Sequence, residues 1–555
     1  MKNIGESDKI TVVYNNKEYS VDQLTTPIDF LKKFKIPVKE PVAAIINGHV
    51  TRLNKKMKTN STLFLIELDT YQGQKIYEST VIFLFVVAFY KQFPNDNVFI
   101  QHSIHQGIFA EVKGKELNDD EIAKIEQTMK ELVNKKEPIQ RTNRNMDVFL
   151  ETVEENERQD LVNLFKYYVP SNIDLYEMDG VAESFYLPLL PNAKYVKEFK
   201  LRKYQDGIAI IFPDFEKGTT LNDLQHHETL FKGYKEYHYW SRILKVRTVG
   251  QLNRYIMNEE IAELINVAEA LHEKKVAYIA DAITSRDFMP RIVLIAGPSS
   301  SGKTTFSKRL AVQLKVNGIR PVTLGLDNYF LERDETPKDA EGNYDFESLR
   351  AIDVDLFEQQ LEKLLSCHTV ELPQFDFKQG KKLYKGNFLK LENDQILIVE
   401  GIHGINPELT KHIEEKFKFK IYISPMTQLN IHRHDRVPTS DTRLLRRIVR
   451  DSSFRGYSAA DTLMQWRHVR AGETQNIFPF QDEADATFNS ALFYEVAVLK
   501  SKAEKELLKV ERTHPTYAEA QRLLKFLSFF LPVDTSYVPQ TSLVREFIGE
   551  SLFKY

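Results

Sequence analysis

The run Gly297-Pro298-Ser299-Ser300-Ser301-Gly302-Lys303-Thr304 limits what this chain can fold into more than any other stretch. It meets G-x-x-x-x-G-K-[ST] at every position, follows the apolar run Ile292-Val293-Leu294-Ile295-Ala296, and leads into a helical segment from Thr305 to Leu314. A strand entering a helix through such a loop is a phosphate cradle. Glycine lets successive backbone N–H groups curl round an anion, and the helix N-terminus adds its positive end. Gly297 through Thr305 are therefore the expected contacts for ATP, with Lys303 reaching the β- and γ-phosphates and the Thr304 hydroxyl ligating Mg²⁺.

From Arg291 onward short apolar strands alternate with helical segments, which predicts a parallel sheet covered by helices. Two further strands run into acids: Val322 to Leu326 into Asp327-Asn328-Tyr329-Phe330, and Ile396 to Val399 into Glu400-Gly401. Ligands of such sheets sit beyond the carboxyl ends of the strands. Asp327 is read as the base that accepts a hydroxyl proton, and Glu400 as the carboxylate on the metal side. Arg443, Arg446, Arg447, Arg450 and Arg455 lie close together, with 443, 447 and 450 near one helical face. They are the expected lid, able to neutralise charge on a transferred phosphoryl group; the plainer reading is a solvated basic helix.

With 555 residues the chain exceeds a single core, and 42% hydrophobic against 28% charged residues lets each domain bury one. Lys and Arg number 75 against 78 Asp and Glu, so bulk nucleic-acid affinity has little electrostatic support. One cysteine, Cys367, allows no intrachain disulfide and no thiolate zinc cluster. Met1-Lys2-Asn3-Ile4-Gly5 carries no apolar signal core. The apolar run Val81 to Tyr90 is half the ~20 residues that span a bilayer. A cytoplasmic setting without membrane contact is expected.

The texture changes several times along the chain, which predicts domains at 1–68, 69–213, 288–500 and a helical extension at 501–555, with 214–287 as a rigid helical connector. Ile10 to Tyr14 reads as a strand turning at Asn15-Asn16-Lys17, and Asn47-Gly48 marks a second hairpin. Glu78 to Phe93 reads as a buried helix, Asn118 to Lys135 as a capped amphipathic one, and Gly207 to Phe212 as a buried strand.

Several ordered motifs carry a resemblance. The loop at 297–304, Asp327-Asn328-Tyr329-Phe330, Tyr344-Asp345-Phe346-Glu347, Pro373-Gln374-Phe375-Asp376-Phe377, Glu400-Gly401-Ile402 and the Asp441 to Asp451 stretch with Arg455-Gly456 resemble the uridine kinase and phosphoribulokinase family. The resemblance implies an α/β P-loop kinase that moves the γ-phosphate of ATP to the 5′-hydroxyl of a nucleoside, uridine first and cytidine second. It implies Asp345 on the ribose hydroxyls, Phe375 and Phe377 near the base, Gln465 beside the ligand, and Arg447 and Arg450 reaching phosphates. Lys378-Gln379-Gly380-Lys381-Lys382 departs from the pattern, since many uridine kinases place a base-reading histidine there. Another sugar or small alcohol therefore stands as the alternative acceptor.

The front half has its own relatives. Ile10 to Leu68 is similar to a TGS domain, and Asp69 to about Phe212 to the editing domain of threonyl-tRNA synthetases, an α+β unit. Glu78 and Ile82 stand where that domain has its two metal-binding histidines, and His102 and His105 fall outside the motif, so the editing chemistry is expected to be lost and both histidines to lie at the surface. The full order resembles a group of long nucleoside kinases, and Val544-Arg545-Glu546-Phe547-Ile548-Gly549 fits that group. The resemblance implies a small-molecule nucleoside substrate; the front half is expected to bind a regulator, RNA or a partner subunit, or simply to brace the kinase, and a homo-oligomer is expected. A nucleotide-switched, RNA- or translation-associated regulator is the reading from a different class.

Overall fold

Two asparagine-led turns shape the beginning of the chain. In this computed structural model, which describes residues 9–554 except 105–106, 156–157, 169, 216–217, 219, 222–227, 339–341, 343, 377–378 and 428, Asn15, Asn16 and Asn47 take φ of 49°, 59° and 51°. Short polar side chains tolerate that left-handed backbone, which matches the twist of a two-residue hairpin. The strands so joined are β1 (Lys9–Tyr14) with β2 (Lys17–Asp22), and β3 (Pro41–Ile46) with β4 (His49–Thr51). With β5 (Ser61–Glu67) they form a sheet in the order β2-β1-β5-β3-β4, covered by α1 (Pro27–Phe34).

The second unit begins at α2 (Tyr71–Gln92), whose residues 76–89 are buried all round. A helix apolar on every face needs partners on every side. It packs against α3 (Asp119–Asn134), whose start is closed by the reciprocal Asn118–Glu121 capping box. Strands β6 (Val98–Ile104), β7 (Gly107–Val112), β11 (Lys200–Tyr204) and β12 (Gly207–Ile211) make an antiparallel sheet ordered β11-β12-β7-β6. Between them lie β8 (Gln140–Asn145), α4 (Met146–Glu155), α5 (Gln159–Phe165), β9 (Asn172–Met178) and β10 (Val181–Glu183). His102, expected at the surface, is in fact 5% exposed, because its ring stacks on Tyr234 at 3.7 Å; His105 lies outside the described residues.

Helices α6 (Glu228–Ile243), α7 (Val249–Met257) and α8 (Ile261–Thr284) lead to the C-terminal α/β unit. There β13 (Ile292–Ala296), α9 (Lys303–Val316), β14 (Arg320–Gly325) and α10 (Val354–Leu365) precede four short strands, β15 (Thr369–Glu371), β16 (Gln374–Asp376), β17 (Lys381–Leu383) and β18 (Phe388–Lys390). Then come β19 (Gln395–Glu400), β20 (Lys418–Ser424), the small hairpin β21 (Asn430–His432) and β22 (Asp435–Arg436), α11 (Thr439–Arg450), α12 (Ala459–Asn476), β23 (Ala486–Asn489) and α13 (Glu495–Leu507). The sheet is parallel throughout and ordered β14-β19-β13-β20-β23. Its central strand β13 is buried at all five residues, as helices on both faces require. Helices α14 (Tyr517–Leu527) and α15 (Arg545–Ile548) close the chain.

Packing cuts across the sequence division at 213/214. One apolar core joins Met146, Phe149, Leu164 and Phe165 to Leu252 and Ile265 of the connector, to Val293 and Ile295 under the phosphate loop, and to Leu543 and Phe547 at the end of the chain. The β21–β22 hairpin extends this union with polar contacts. Ile100 N–H donates to the Arg433 carbonyl at 2.9 Å, Asn430 Nδ2 to the Ile100 carbonyl at 2.6 Å, and Arg436 to Glu78 at 2.8 Å. Among the described residues no helix is long and apolar enough to cross a membrane.

Candidate active site

The β-ladders alone bring the key side chains together. Glu400, the last residue of β19, pairs in register with Ile295 of β13 and Gly325 of β14, so the phosphate loop, Glu400 and Asp327 leave the same edge of three adjacent strands. The loop turns through Ser300 at φ 60° and Gly302 at φ 89°. At Gly302 the left-handed backbone favours glycine, and the close approach of Leu543, 2.5 Å from a notional Cβ, demands it. Helix α9 then starts at Lys303, with its N-terminus at the cradle.

Lys303 Nζ donates to the carbonyls of Gly297 (2.9 Å) and Pro298 (3.2 Å), and Thr304 Oγ1 donates to Glu400 Oε1 at 3.0 Å. Burial pushes the Glu400 carboxyl up to about 7, with Asp327 and Glu546 adding to the push and Lys303 opposing it. Asp327 keeps solvent-exposed surface, yet the enclosure of the cleft raises its pKa against the pull of Lys303, Arg455 and Arg450. Burial lowers that of Lys303, while Glu400, Asp327 and Glu546 restrain the fall. Lys303, Asp327 and Glu400 thus feel one another's charge, as groups around one reaction centre do. A hydroxyl and a carboxylate 3.0 Å apart are hard oxygen donors, and the carboxylate crowding is of the sort a divalent cation relieves; the set fits Mg²⁺.

The five arginines divide into two kinds. Arg446 is 0% exposed: its guanidinium bonds Glu495 Oε2 (Nε, 2.7 Å), the Ser490 carbonyl (2.7 Å) and the Ser300 carbonyl (3.2 Å). Arg443, also buried, donates to the Ser299 carbonyl at 2.9 Å and is paired with Glu473. These two brace the loop from behind and cannot serve as a lid, because their charges are already spent on buried carboxylates and loop carbonyls. Arg447, Arg450 and Arg455 are less enclosed and gather round one buried carboxylate, Asp451, at 3.2, 3.6 and 3.5 Å. Arg447 also reaches Ser299 Oγ at 3.0 Å. Asp451 to Arg455 form a π-helical turn continuing α11, a geometry that recurs at functional sites.

The remaining expected residues are placed less uniformly. Asp345 is partly buried, and its carboxylate accepts the Glu347 N–H at 3.2 Å. Phe375 is 7% exposed and packs its ring 5.7 Å from Phe330, so it is core rather than an open wall for a base; Phe377 lies outside the described residues. The exposed aromatic faces nearby belong to Tyr344 (39%) and Phe346 (40%). Gln465 is exposed on α12, about two turns before Glu473.

Three acids at the cradle escape a motif-based reading. Glu473 Oε1 accepts the Ser299 N–H at 2.8 Å, and Glu546 from the chain's last helix accepts both Thr305 N–H (3.2 Å) and Thr305 Oγ1 (2.8 Å). Glu347 is pushed up to about 8, by burial first and Glu473 next. Glu347 sits inside the Tyr344–Glu347 motif and Glu546 inside the closing 544–549 stretch, so both stood in segments already marked; Glu473 had no signal of its own.

The Phosphoribulokinase / Uridine kinase family matches residues 292–497. A uridine kinase of Deinococcus deserti is 25% identical over 197 residues, 35% of this chain and 86% of that protein. One from Borrelia duttonii is 29% identical over 205 residues, covering 36% and 85%. Uridine-cytidine kinase B of Dictyostelium discoideum is 26% identical over 209 residues, covering 38% and 78%. The matched stretch begins at the strand that feeds the phosphate loop and takes in Asp327, Glu400 and the arginines of α11. The C-terminal α/β unit is an ATP-dependent kinase domain of the phosphoribulokinase and uridine kinase family.

Proposed function

We propose that the chain phosphorylates the 5′-hydroxyl of a nucleoside with ATP, uridine foremost and cytidine second, giving the nucleoside monophosphate. The observation that carries this is the convergence of Lys303, Asp327 and Glu400 at the carboxyl edge of three adjacent parallel strands. A nucleotide switch needs the lysine and the metal carboxylate but no acceptor base. The names of the relatives, uridine kinase and uridine-cytidine kinase, support the choice of acceptor.

In this mechanism the loop N–H groups and Lys303 hold the β- and γ-phosphates. Thr304 and Glu400 would hold Mg²⁺, which supplies charge neutralisation across the phosphates. Asp327 accepts the proton of the attacking hydroxyl; its raised pKa suits a group that must take that proton in the transition state. Arg447, Arg450 and Arg455, pre-gathered by Asp451, are the cations available to the transferred group. Asp345 is the proposed ribose contact.

The test is ADP release with ATP and Mg²⁺ across uridine, cytidine, other nucleosides, ribulose 5-phosphate and pantothenate, with Lys303→Ala as the blank. Turnover with uridine or cytidine, lost in the blank, is expected. Turnover with ribulose 5-phosphate or pantothenate alone would overturn the nucleoside acceptor and leave the kinase. Silence with every acceptor while ATP still binds would overturn the proposed activity.

A further inference from the structure

Behind the phosphate loop, between the front half and the kinase domain, lies a cavity of about 330 Å³ that Lys303, Asp327 and Glu400 do not line. Its size is at the lower end of small-molecule sites. The lining carries four cations, Lys75, Arg436, Arg443 and Arg470, against three acids, Glu78, Asp214 and Glu473. Glu78 is shared by Lys75 and Arg436, both at 2.8 Å, and Glu473 is paired with Arg443. Arg470 is left over. Its guanidinium lies 3.9 Å above the Tyr71 ring and, among the described residues, makes no ion pair.

On another wall, the 5%-exposed His102 lies flat on Tyr234 (3.7 Å between ring centres, 11° between planes), and its Nε2 has no hydrogen-bond partner. A buried polar atom without a partner is uncommon and calls for an explanation, which a bound group provides. Burial, with Arg436 and His238 nearby, holds this imidazole neutral, so it can exchange a hydrogen bond with a ligand without adding charge. Tyr204, Phe212 and Phe478 add aromatic surface. An unpaired guanidinium on an aromatic ring, an unsatisfied imidazole and aromatic walls suit a planar ring that carries an anionic group.

We propose that this cavity binds a small planar-ring anion of nucleoside-monophosphate size, and that occupancy is transmitted to the phosphate loop through Arg443 and Glu473. These two residues face both ways. They line the cavity, and on their other side Glu473 accepts the Ser299 N–H at 2.8 Å while Arg443 donates to the Ser299 carbonyl at 2.9 Å. An anion drawing on Arg443 loosens its pairing with Glu473, and both backbone contacts of Ser299 depend on that pair. The coupling rests on the loop being the ATP site, whereas binding to the cavity does not depend on the acceptor or on turnover.

The experiment is calorimetric titration of the full chain with UMP, AMP and phenyl phosphate, with and without the ATP analogue AMP-PNP. Wild type is compared with Arg470→Gln, His102→Gln and Lys303→Ala. At least one probe is expected to bind one-to-one to wild type and Lys303→Ala alike. Losing a charged hydrogen bond weakens binding about ten- to a hundredfold, so Arg470→Gln should show that loss. His102→Gln is expected to weaken it less, and it decides the matter if Arg470→Gln does not fold. The probe should shift AMP-PNP affinity by the same factor as AMP-PNP shifts the probe's, as linkage requires. Absence of binding by all three probes, binding unchanged in both cavity variants, or binding lost only in Lys303→Ala would overturn the site. Binding that leaves AMP-PNP affinity unmoved would overturn the transmission to the loop. Since no outcome depends on catalysis, failure here is separable from failure of the proposed kinase activity.

Discussion

Gly472 gives Glu347 its place: a Cβ on Gly472 would come within 2.2 Å of the Glu347 Cβ, a separation real atoms do not adopt. Helix α12 can approach the 344–347 segment so closely only with glycine there, and the approach brings Glu347 under the influence of Glu473, Arg447 and Lys303. Gly472→Ala must move the segment or the helix, at a cost of about 1–3 kcal/mol as for other overpacked sites. Urea denaturation checks it. An unchanged midpoint would mean that the segment yields freely and that Glu347 is not held by this contact.

Glu347 also makes stability depend on pH. Its carboxyl ordinarily titrates near 4.5 but is pushed up to about 8 in the fold. The folded state then holds a proton that the unfolded chain has released. The group's contribution is fully present below about 4.5, declines as pH rises, and is lost through about 8. Within that window the slope from one group reaches at most about 1.4 kcal/mol per pH unit. Glu347→Gln should flatten the fall between pH 5 and about 8, read from denaturation midpoints across pH. Equal slopes for wild type and variant would show that the carboxyl is ionised in the fold.

Asp327→Asn keeps the shape of the side chain and removes the base. Turnover should fall about 10²- to 10⁴-fold. AMP-PNP should bind to within a few-fold of wild type, because asparagine adds no bulk and Lys303 keeps its contacts with the Gly297 and Pro298 carbonyls. A variant that loses ATP binding in step with turnover would place Asp327 among the nucleotide contacts instead.

The parallel sheet, the phosphate loop and the two acid-ended strands were legible because each is a local pattern: an apolar strand, a glycine-bounded loop, an acid where a strand stops. Helices α2 and α3 and the hairpins at Asn15 and Asn47 were legible for the same reason. The split among the arginines was not. Arg446 and Arg447 are adjacent in sequence, and what separates them is that Ser490 and Glu495, 44 and 49 residues on from Arg446, meet one and not the other. His102 misled in the same way, since its burial depends on Tyr234 from a helix more than a hundred residues later. The shared core of Phe149 with Val293 likewise depends on long-range packing that local composition does not report.

For Arg446 the consequence is a loss of stability rather than a slower reaction. Arg446→Met would leave Glu495 buried without its partner, which costs about 3–5 kcal/mol at comparable sites. The double variant with Glu495→Leu should recover much of that loss, since an apolar pair often replaces a buried ion pair at little cost. Thermal unfolding of the two single variants and the double closes the cycle. A slow but fully stable Arg446→Met would restore the residue to the transferring machinery.

Glu546 places a carboxylate on the first turn of the helix that leaves the phosphate loop. It accepts Thr305 N–H and Oγ1 in the first turn of α9, and it lies 4.0 Å from Arg450. The donors of that turn, with the positive end of the helix, are the part of the loop that draws anions. At the proposed nucleotide site, the last helix of the chain would compete with the phosphates for one of these donors. Glu546→Gln removes the negative charge while leaving an oxygen to accept from Thr305, so the closing segment should stay docked through Leu543 and Phe547. A favourable charge at a helix terminus is worth about 0.3–1 kcal/mol, so the variant should bind ATP about two- to fivefold more tightly when measured without Mg²⁺. If ATP binding weakens instead, the carboxylate supports the nucleotide site, and the contact with Thr305 is part of the cradle rather than a rival for it.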